Sequence, residues 1–394
     1  MHILVFLDQS PHSLGGVQAS VLLQQKYLEK AGHRVTLVAP ASSADPVSTP
    51  GCIIYPSFAL TPNREYTATA NLGKAYRHVL TELAAIREKV DVVHVQADWW
   101  GALLGAGFAR RQNLPLVNTL HTNLSVGAAK VVGKLGASML YLLHSEVFGR
   151  WVLGRSGCVT GNGWKYLHLI TSTAQTVLAP SAHFARLAQE KGVATNIRVV
   201  PTGVDDESIG VTSVRGAANE VTFAWSGRFS HEKRIMEFLS ALKTANLPAK
   251  ARIYGSGALL AKMQRFIEVN GLADRVTIIG RVSHQQMIQE LAGCSALVQT
   301  SIGFETQGMT VFEAGVVGTP SVLCDWNIAE DLPADSYWKT TDDSVASLAA
   351  MLTAAYQEIS EGKPKRIDLR GSMLQSHLYL RSLEIYEQAI AEHS

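Results

Sequence analysis

Cysteine is scarce in this chain. Its 394 residues hold four, Cys52, Cys158, Cys294 and Cys324, too scattered to form a CxxC pair or a His/Cys zinc spacing. Reduced structural cysteines of this kind point to the cytoplasm. No run reaches the roughly 18–20 uncharged apolar residues that span a bilayer, so a role at a membrane would be peripheral. Met1–Asp8 (MHILVFLD) lacks the length and basic start of a signal peptide and reads as a buried strand. The dinucleotide fingerprint GxGxxG is missing: neither Gly15-Gly16 nor Gly255-Ser256-Gly257 continues to the third glycine. There is no Walker A loop, no G-x-S-x-G elbow and no HExxH helix. There is no D-x-D either, the motif that clamps a metal to a diphosphate, so no metal or other cofactor is expected. A net charge of +2 excludes bulk nucleic-acid binding.

What is present is a long alternation of short apolar strands with amphipathic segments, the βαβ rhythm of a parallel sheet covered on both faces. Strands are expected at Ile3–Leu7, Val35–Ala39, Val92–Val95, Val117–Leu120, Thr176–Ala179 and Ile197–Val200. A second series falls at Val221–Ser226, Ala251–Tyr254, Val276–Ile279, Ala296–Thr300 and Ser321–Cys324. Helices between them include Val17–Ala31, Lys74–Lys89, Ala182–Lys191, Ile235–Thr244, Leu259–Asn270 and His284–Ala292. The aperiodic, turn-rich stretch Pro201–Asn219 is the expected linker. The chain therefore reads as α/β, with two doubly wound domains, 1–204 and 205–373, facing across a cleft, and a last helix at Leu374–His393.

The most informative stretch is Ser295–Cys324. It places Glu305 in a loop at the carboxyl end of a strand, where open α/β sheets bind ligands, and Glu313 about a turn into the next helix. Gly303 and Gly308 let a ligand approach the backbone, and the N–H groups opening the helix suit an anion. Backbone donors for phosphate beside two carboxylates for hydroxyls fit a nucleotide sugar. In WSGRFSHEKR, Gly227, Arg228 and Lys233 follow the first strand of the second domain, where Arg and Lys can neutralise a diphosphate; alone, they are equally surface charge. Gly15-Gly16 opens the first helix, either touching phosphate or making a tight turn. His121 lies just past a strand, placed to bond a substrate hydroxyl or to serve the structure alone. The stretch Asn123–Ile170 is apolar, with Lys130, Lys134, Arg150, Arg155 and Lys165 against one acid, Glu146, and with Tyr141, Trp151, Trp164 and Tyr166 interleaved. It reads either as a core helix pair with a solvated face or as a contact with an anionic membrane surface.

These residues resemble a retaining glycosyltransferase of family 4 with the GT-B fold. The resemblance runs through Gly15-Gly16, His121-Thr122, Ala179–Ser181, Pro201–Asp205, GR-FS-EK from Gly227 to Lys233, and E-x7-E from Glu305 to Glu313. The wording ETQGMTVFEA is similar to the version found among bacterial enzymes that glycosylate diacylglycerol or related lipids. The resemblance implies transfer of a hexose, first of all from UDP-glucose, to an acceptor hydroxyl with retention. It implies that Glu305 meets the donor sugar and that the amides of Gly308, Met309, Thr310 and Val311 hold sugar and diphosphate. Glu313 would take the ribose hydroxyls, Arg228 and Lys233 would stabilise the leaving diphosphate, and Gly16 would close over it. His121 would lie near the transferred sugar, and Ile279–Val282, with Arg281, would line the nucleobase pocket. The last helix, 374–394, would pack back on the first domain. The acceptor is a membrane lipid or a soluble glycan or small molecule, and Lys130 and Lys134 are the candidate membrane contacts. A sugar-nucleotide epimerase and a non-catalytic sugar-nucleotide binding protein stay open beside the enzyme reading; a NAD-dependent oxidoreductase would need the absent glycine fingerprint.

Overall fold

The computed structural model describes residues 1–13, 15–41, 51–60, 67–69, 71–210 and 220–393, with the side chains of 125, 126 and 129–131 left aside. Lys130's side chain and the second half of the expected linker, 211–219, thus lie outside the described residues. The chain divides into two compact units, Met1–Gly203 with Leu378–Ser394, and Val204–His377.

Unit 1 holds a seven-stranded parallel sheet: β1 (His2–Leu7), β2 (Arg34–Pro40), β3 (Cys52–Tyr55), β4 (Val92–Gln96), β5 (Leu116–Thr119), β6 (Thr176–Ala179) and β7 (Ile197–Val199). Its spatial order is β3-β2-β1-β4-β5-β6-β7. Both faces are covered, and successive residues of β1 serve different cores. Leu4 and Phe6 pack with Val93 and Val95 on one side, and Ile3, Val5 and Leu7 pack with Val35, Leu37 and Val92 on the other. This is why the strand sequence is uniformly apolar: a period of two with both faces buried leaves no polar position. The second core is closed by Ile385, Tyr386 and Ala389 of the C-terminal helix, Gln375–His393.

Unit 2 holds a six-stranded parallel sheet: β8 (Thr222–Ser226), β9 (Lys250–Tyr254), β10 (Val276–Gly280), β11 (Ala296–Gln299), β12 (Ser321–Leu323) and β13 (Tyr337–Lys339), ordered β10-β9-β8-β11-β12-β13. Phe223, Trp225, Ile253 and Val298 from its strands pack with Phe238 and Leu239 of the Ile235–Ala245 helix. Its two chain ends are clasped. Val204 N–H donates to Met373 C=O at 2.8 Å, Gln375 N–H to Val204 C=O at 2.9 Å, and the Asp206 carboxylate takes the backbone and hydroxyl of Ser376.

Candidate active site

Both sheets reverse strand order beside their first strand, which opens a crevice at the strand ends. In unit 2 that point lies between β8 and β11 and separates the two loops richest in candidate residues. Lys233, from the loop after β8, donates to Glu305 Oε1, from the loop after β11, at 2.5 Å. Their side chains keep 23% and 14% exposure, so the pair is sheltered yet open to a ligand. The ammonium also lies 5.2 Å from the centre of the Phe304 ring. The pair is held from beneath: Thr300 Oγ1 donates to the Lys233 carbonyl and accepts from Trp225 Nε1 at 2.9 Å.

The loop carrying Glu305 is shaped by its glycines. Gly303 and Gly308 sit at φ +63° and +81°, backbone that L side chains rarely adopt. A methyl group on Gly308 would also press on Ile328 at 2.8 Å. Asp325, fully buried, accepts from Gly303 N–H at 2.8 Å and pins the loop to the strand beyond it. The helix Met309–Val316 then starts without any side-chain cap. Glu313, buried on this helix, accepts from His284 Nε2 at 2.9 Å. That bond, helped by the nearby Asp205 charge and opposed by burial, raises the His284 pKa.

The remaining candidates of unit 2 line neighbouring strand ends. Arg228 is exposed on the loop of Lys233, and exposed Arg281 donates through Nε to Ser256 Oγ. The three loops are knitted by backbone: Gly227 N–H to Tyr254 C=O, Phe229 N–H to Ser256 C=O, and Gly255 N–H to Gly280 C=O at 2.8–3.1 Å. A side chain on Gly255 or Gly257 would run into the backbone of Gly227 or Phe229. Those glycines serve chain-to-chain approach, which is why they fit no dinucleotide pattern.

In unit 1, Gly15 caps the helix Gly16–Lys30 in extended backbone, φ 176°, with no side-chain cap bond. The loops after β1 and β4 meet through Asp8, whose carboxylate accepts from the N–H groups of Asp98, Trp99 and Gly101 at 2.6–2.9 Å. This charge closes the start of the Trp100–Gln112 helix. Asp98 is buried, and burial beside Asp8 lifts its carboxyl to about 7 against the pull of a bond with Thr122. His121, half-buried at the end of β5, meets Gln96 Oε1 at 2.8 Å, and burial lowers its imidazole to about 4.

The segment 123–170 is helical over Leu124–Phe148, with a break at Gly133 (φ 73°), and again over Gly163–Thr171. The aromatics of this segment, open in the sequence to a core or a membrane reading, are largely inward. Tyr141 and Tyr166 are buried and stack on Trp99, and half-buried Trp151 lies under the Arg111 guanidinium at 3.8 Å. What the long helix shows to solvent is aliphatic: Leu135 is 78% exposed, Met139 63% and Leu143 53%, with Val132 and Leu142 beside them. Lys134 is exposed on the same helix. Among the described residues no helix is long and apolar enough to cross a membrane, and no group of three or more His, Cys, Asp or Glu could hold a metal ion.

His284, Asp325 and Asp98 were not among the sequence candidates. His284 pairs with Glu313 from 29 residues away and Asp325 holds Gly303 from 22 residues away, spacings that no local motif reveals.

Two Rossmann-like units with a cation–carboxylate pair at the second switch point are the frame of a GT-B glycosyltransferase. The profile described as Glycosyltransferase Family 4 matches residues 14–208, and that of Glycosyl transferases group 1 matches residues 214–358. The chain belongs to the glycosyltransferases built from this pair of domains. It is 26% identical over 329 residues to a 2-deoxystreptamine N-acetyl-D-glucosaminyltransferase of Streptomyces fradiae, covering 78% of this chain and 74% of that one. It is 23% identical over 339 residues to an alpha-monoglucosyldiacylglycerol synthase of Streptococcus pneumoniae, covering 82% and 70%. Anabaena HepE in complex with UDP shares the fold at a TM-score of 0.69 and 17% identity, over 98% of this chain and 100% of that one.

Proposed function

We propose that the protein transfers a hexose from a nucleoside diphosphate sugar, UDP-glucose first, to a hydroxyl of a membrane lipid such as diacylglycerol, with retention of configuration. The observation that carries the donor half is the Lys233–Glu305 pair beside the uncapped helix start at Gly308. A leaving diphosphate needs positive charge fixed in place before the bond breaks. Lys233, anchored through its backbone carbonyl and its carboxylate partner, supplies it with little reorganisation, and Arg228 adds a second charge without a metal. The amides of Met309 and Thr310 open the helix toward the phosphates and sugar, whereas the expected donor Val311 N–H is already taken by Gly308 C=O at 2.9 Å, and Gly227 keeps a side chain out of the approach. Glu305, an acceptor only, suits sugar hydroxyls; Glu313, oriented by His284, suits the ribose; Arg281 lies toward the base. From unit 1 the reading draws on His121 and on Gly15-Gly16. UDP in HepE supports a nucleotide donor.

The acceptor half rests on the aliphatic stripe of the Leu124–Phe148 helix. Large apolar side chains facing water on one helix, with exposed Lys134 among them, fit the face of a protein lying on an anionic bilayer, Lys134 toward the headgroups. The protein would then work as a peripheral protein on the inner face of the cytoplasmic membrane. A soluble acceptor is the second reading, favoured by the relative named a 2-deoxystreptamine N-acetyl-D-glucosaminyltransferase. The test is a panel of UDP-, GDP- and ADP-hexoses, labelled in the sugar, with purified protein and a bacterial lipid extract. Label in the organic phase with one donor supports the proposal. Label confined to water-soluble product selects the second reading, and no donor binding at all defeats both.

A further inference from the structure

Behind His121 runs a hydrogen-bonded network that ends on the C-terminal helix. His121 Nε2 meets Gln96 Oε1 at 2.8 Å, and Gln96 Nε2 donates to Gln24 Oε1 at 2.6 Å. Gln24 Nε2 donates to Ser382 Oγ at 3.1 Å and to Tyr386 OH at 3.2 Å. Tyr386 OH meets His94 Nδ1 at 2.8 Å, and His94 Nε2 meets Thr119 Oγ1 at 2.7 Å. Gln96, His94, Thr119, Ser382 and Tyr386 are all buried, where an unmatched donor or acceptor is costly.

With the amides of Gln24 and Gln96 oriented as they stand in the structure, the chemistry of the groups gives these bonds their direction. An amide carbonyl only accepts, and an amide NH₂ only donates. With the Gln24 NH₂ donating to it, the Tyr386 hydroxyl turns its proton to His94 Nδ1, so His94 is protonated on Nε2 and donates to Thr119. The Gln96 NH₂ is taken up by Gln24 Oε1, with His94 Nδ1 3.4 Å away. The remaining face of Gln96 is its carbonyl, which leaves His121 Nε2 as the donor.

We infer that Gln96 is a positioning residue that locks His121 as the neutral, Nε2-protonated tautomer with Nδ1 as its acceptor atom, and that the C-terminal helix sets this through Tyr386 and Gln24. In that form His121 carries its ring lone pair at Nδ1 and cannot act as a cationic donor to the phosphates. The titratable neighbours agree: His94 on the adjoining strand is itself kept neutral by burial, at about 3, and the Asp98 carboxyl is engaged with Thr122. The importance of the tautomer for transfer rests on the function proposed above; the tautomer itself does not.

Nitrogen-15 NMR of histidine-labelled protein at neutral pH, with His121 assigned by the signal lost in His121→Asn, reads this directly. The expected wild-type spectrum has Nε2 protonated and Nδ1 bare. Gln96→Met should leave a mixture of tautomers, and Gln96→Glu should raise the His121 pKa by at least one unit. Turnover should fall at least tenfold in both, with donor affinity within threefold of wild type. Tyr386→Phe should broaden the same signals with a smaller loss. A wild-type His121 protonated on Nδ1, or a tautomer unmoved in Gln96→Met, overturns the inference. If the variants fold poorly, the wild-type spectrum still decides. The expected tautomer in a protein that transfers no sugar would defeat the functional reading and leave the network intact.

Discussion

The two switch points have the same topology and opposite furnishing. In unit 1 the loop after β1 delivers Asp8, whose carboxylate already closes the start of the Trp100–Gln112 helix by three backbone bonds. In unit 2 the loop after β8 delivers Lys233, the loop after β11 delivers Glu305, and the Met309–Val316 helix starts behind a glycine with no side-chain cap. A helix start attracts one negative partner. Unit 1 supplies that partner from its own chain, and the helix of unit 2 has no side-chain cap. Strand order alone therefore does not tell the two crevices apart; the side chains that their loops deliver do.

That contrast can be broken most severely at the ion pair. Lys233→Ala or Glu305→Ala should lower turnover by about 10²–10³-fold with the fold retained, measured with labelled donor and by circular dichroism. Turnover within a few-fold of wild type in either would remove unit 2's crevice as the reacting site. Next is Gly308→Ala, which meets both a left-handed backbone and Ile328; it should cost about 1–3 kcal/mol in urea unfolding and weaken donor binding. Asp8→Ala should cost about 1–2 kcal/mol and leave donor affinity unchanged, since its bonds are internal to unit 1. Weaker donor binding in that variant would mean that the bonds of Asp8 also order the unit 1 residues on which the donor reading draws. The smallest effect is a slope. The raised Asp98 pKa means the unfolded chain loses its proton first, so this group's contribution to stability falls as pH climbs from about 4 to about 7. Between pH 5 and 6 wild type should lose about 1 kcal/mol more than Asp98→Asn, and equal slopes would show that Asp98 is ionised when folded.

Much of this fold is written locally. The eleven expected strands are present because each is a short apolar run; the central ones, such as His2–Leu7, are buried on two faces, while Val276–Gly280 at the sheet edge alternates between buried and open positions. The edge strands Cys52–Tyr55 and Tyr337–Lys339 were not read, being short and flanked by polar residues. The Trp100–Gln112 helix was missed for a different reason: nine of its residues are buried and it is rich in glycine and alanine, so no polar face gives it a helical period. The E-x7-E and GR-FS-EK segments marked the crevice of unit 2, but the Lys233–Glu305 bond joins residues 72 apart and follows from sheet topology. The bonds that bring His284 and Asp325 to this crevice likewise join distant residues, although Asp325 also caps the short helix after it through Asn327. In 123–170 the sequence left core and membrane readings of the aromatics open, and tertiary packing decides it residue by residue, with Tyr141 and Tyr166 inward and Leu135, Met139 and Leu143 outside.

The placing of Tyr386 has a consequence for synthesis. Emerging from the ribosome, residues 1–203 form an unfinished body: one face of the sheet waits for Ile385, Tyr386 and Ala389, and the side chains behind His121 wait for their last hydrogen-bond partner. All of unit 2 is made in between. The first domain to be translated is therefore the last to be completed, and a nascent chain stopped before residue 378 would present a folded second domain beside an open first one, the form on which a chaperone or protease would act.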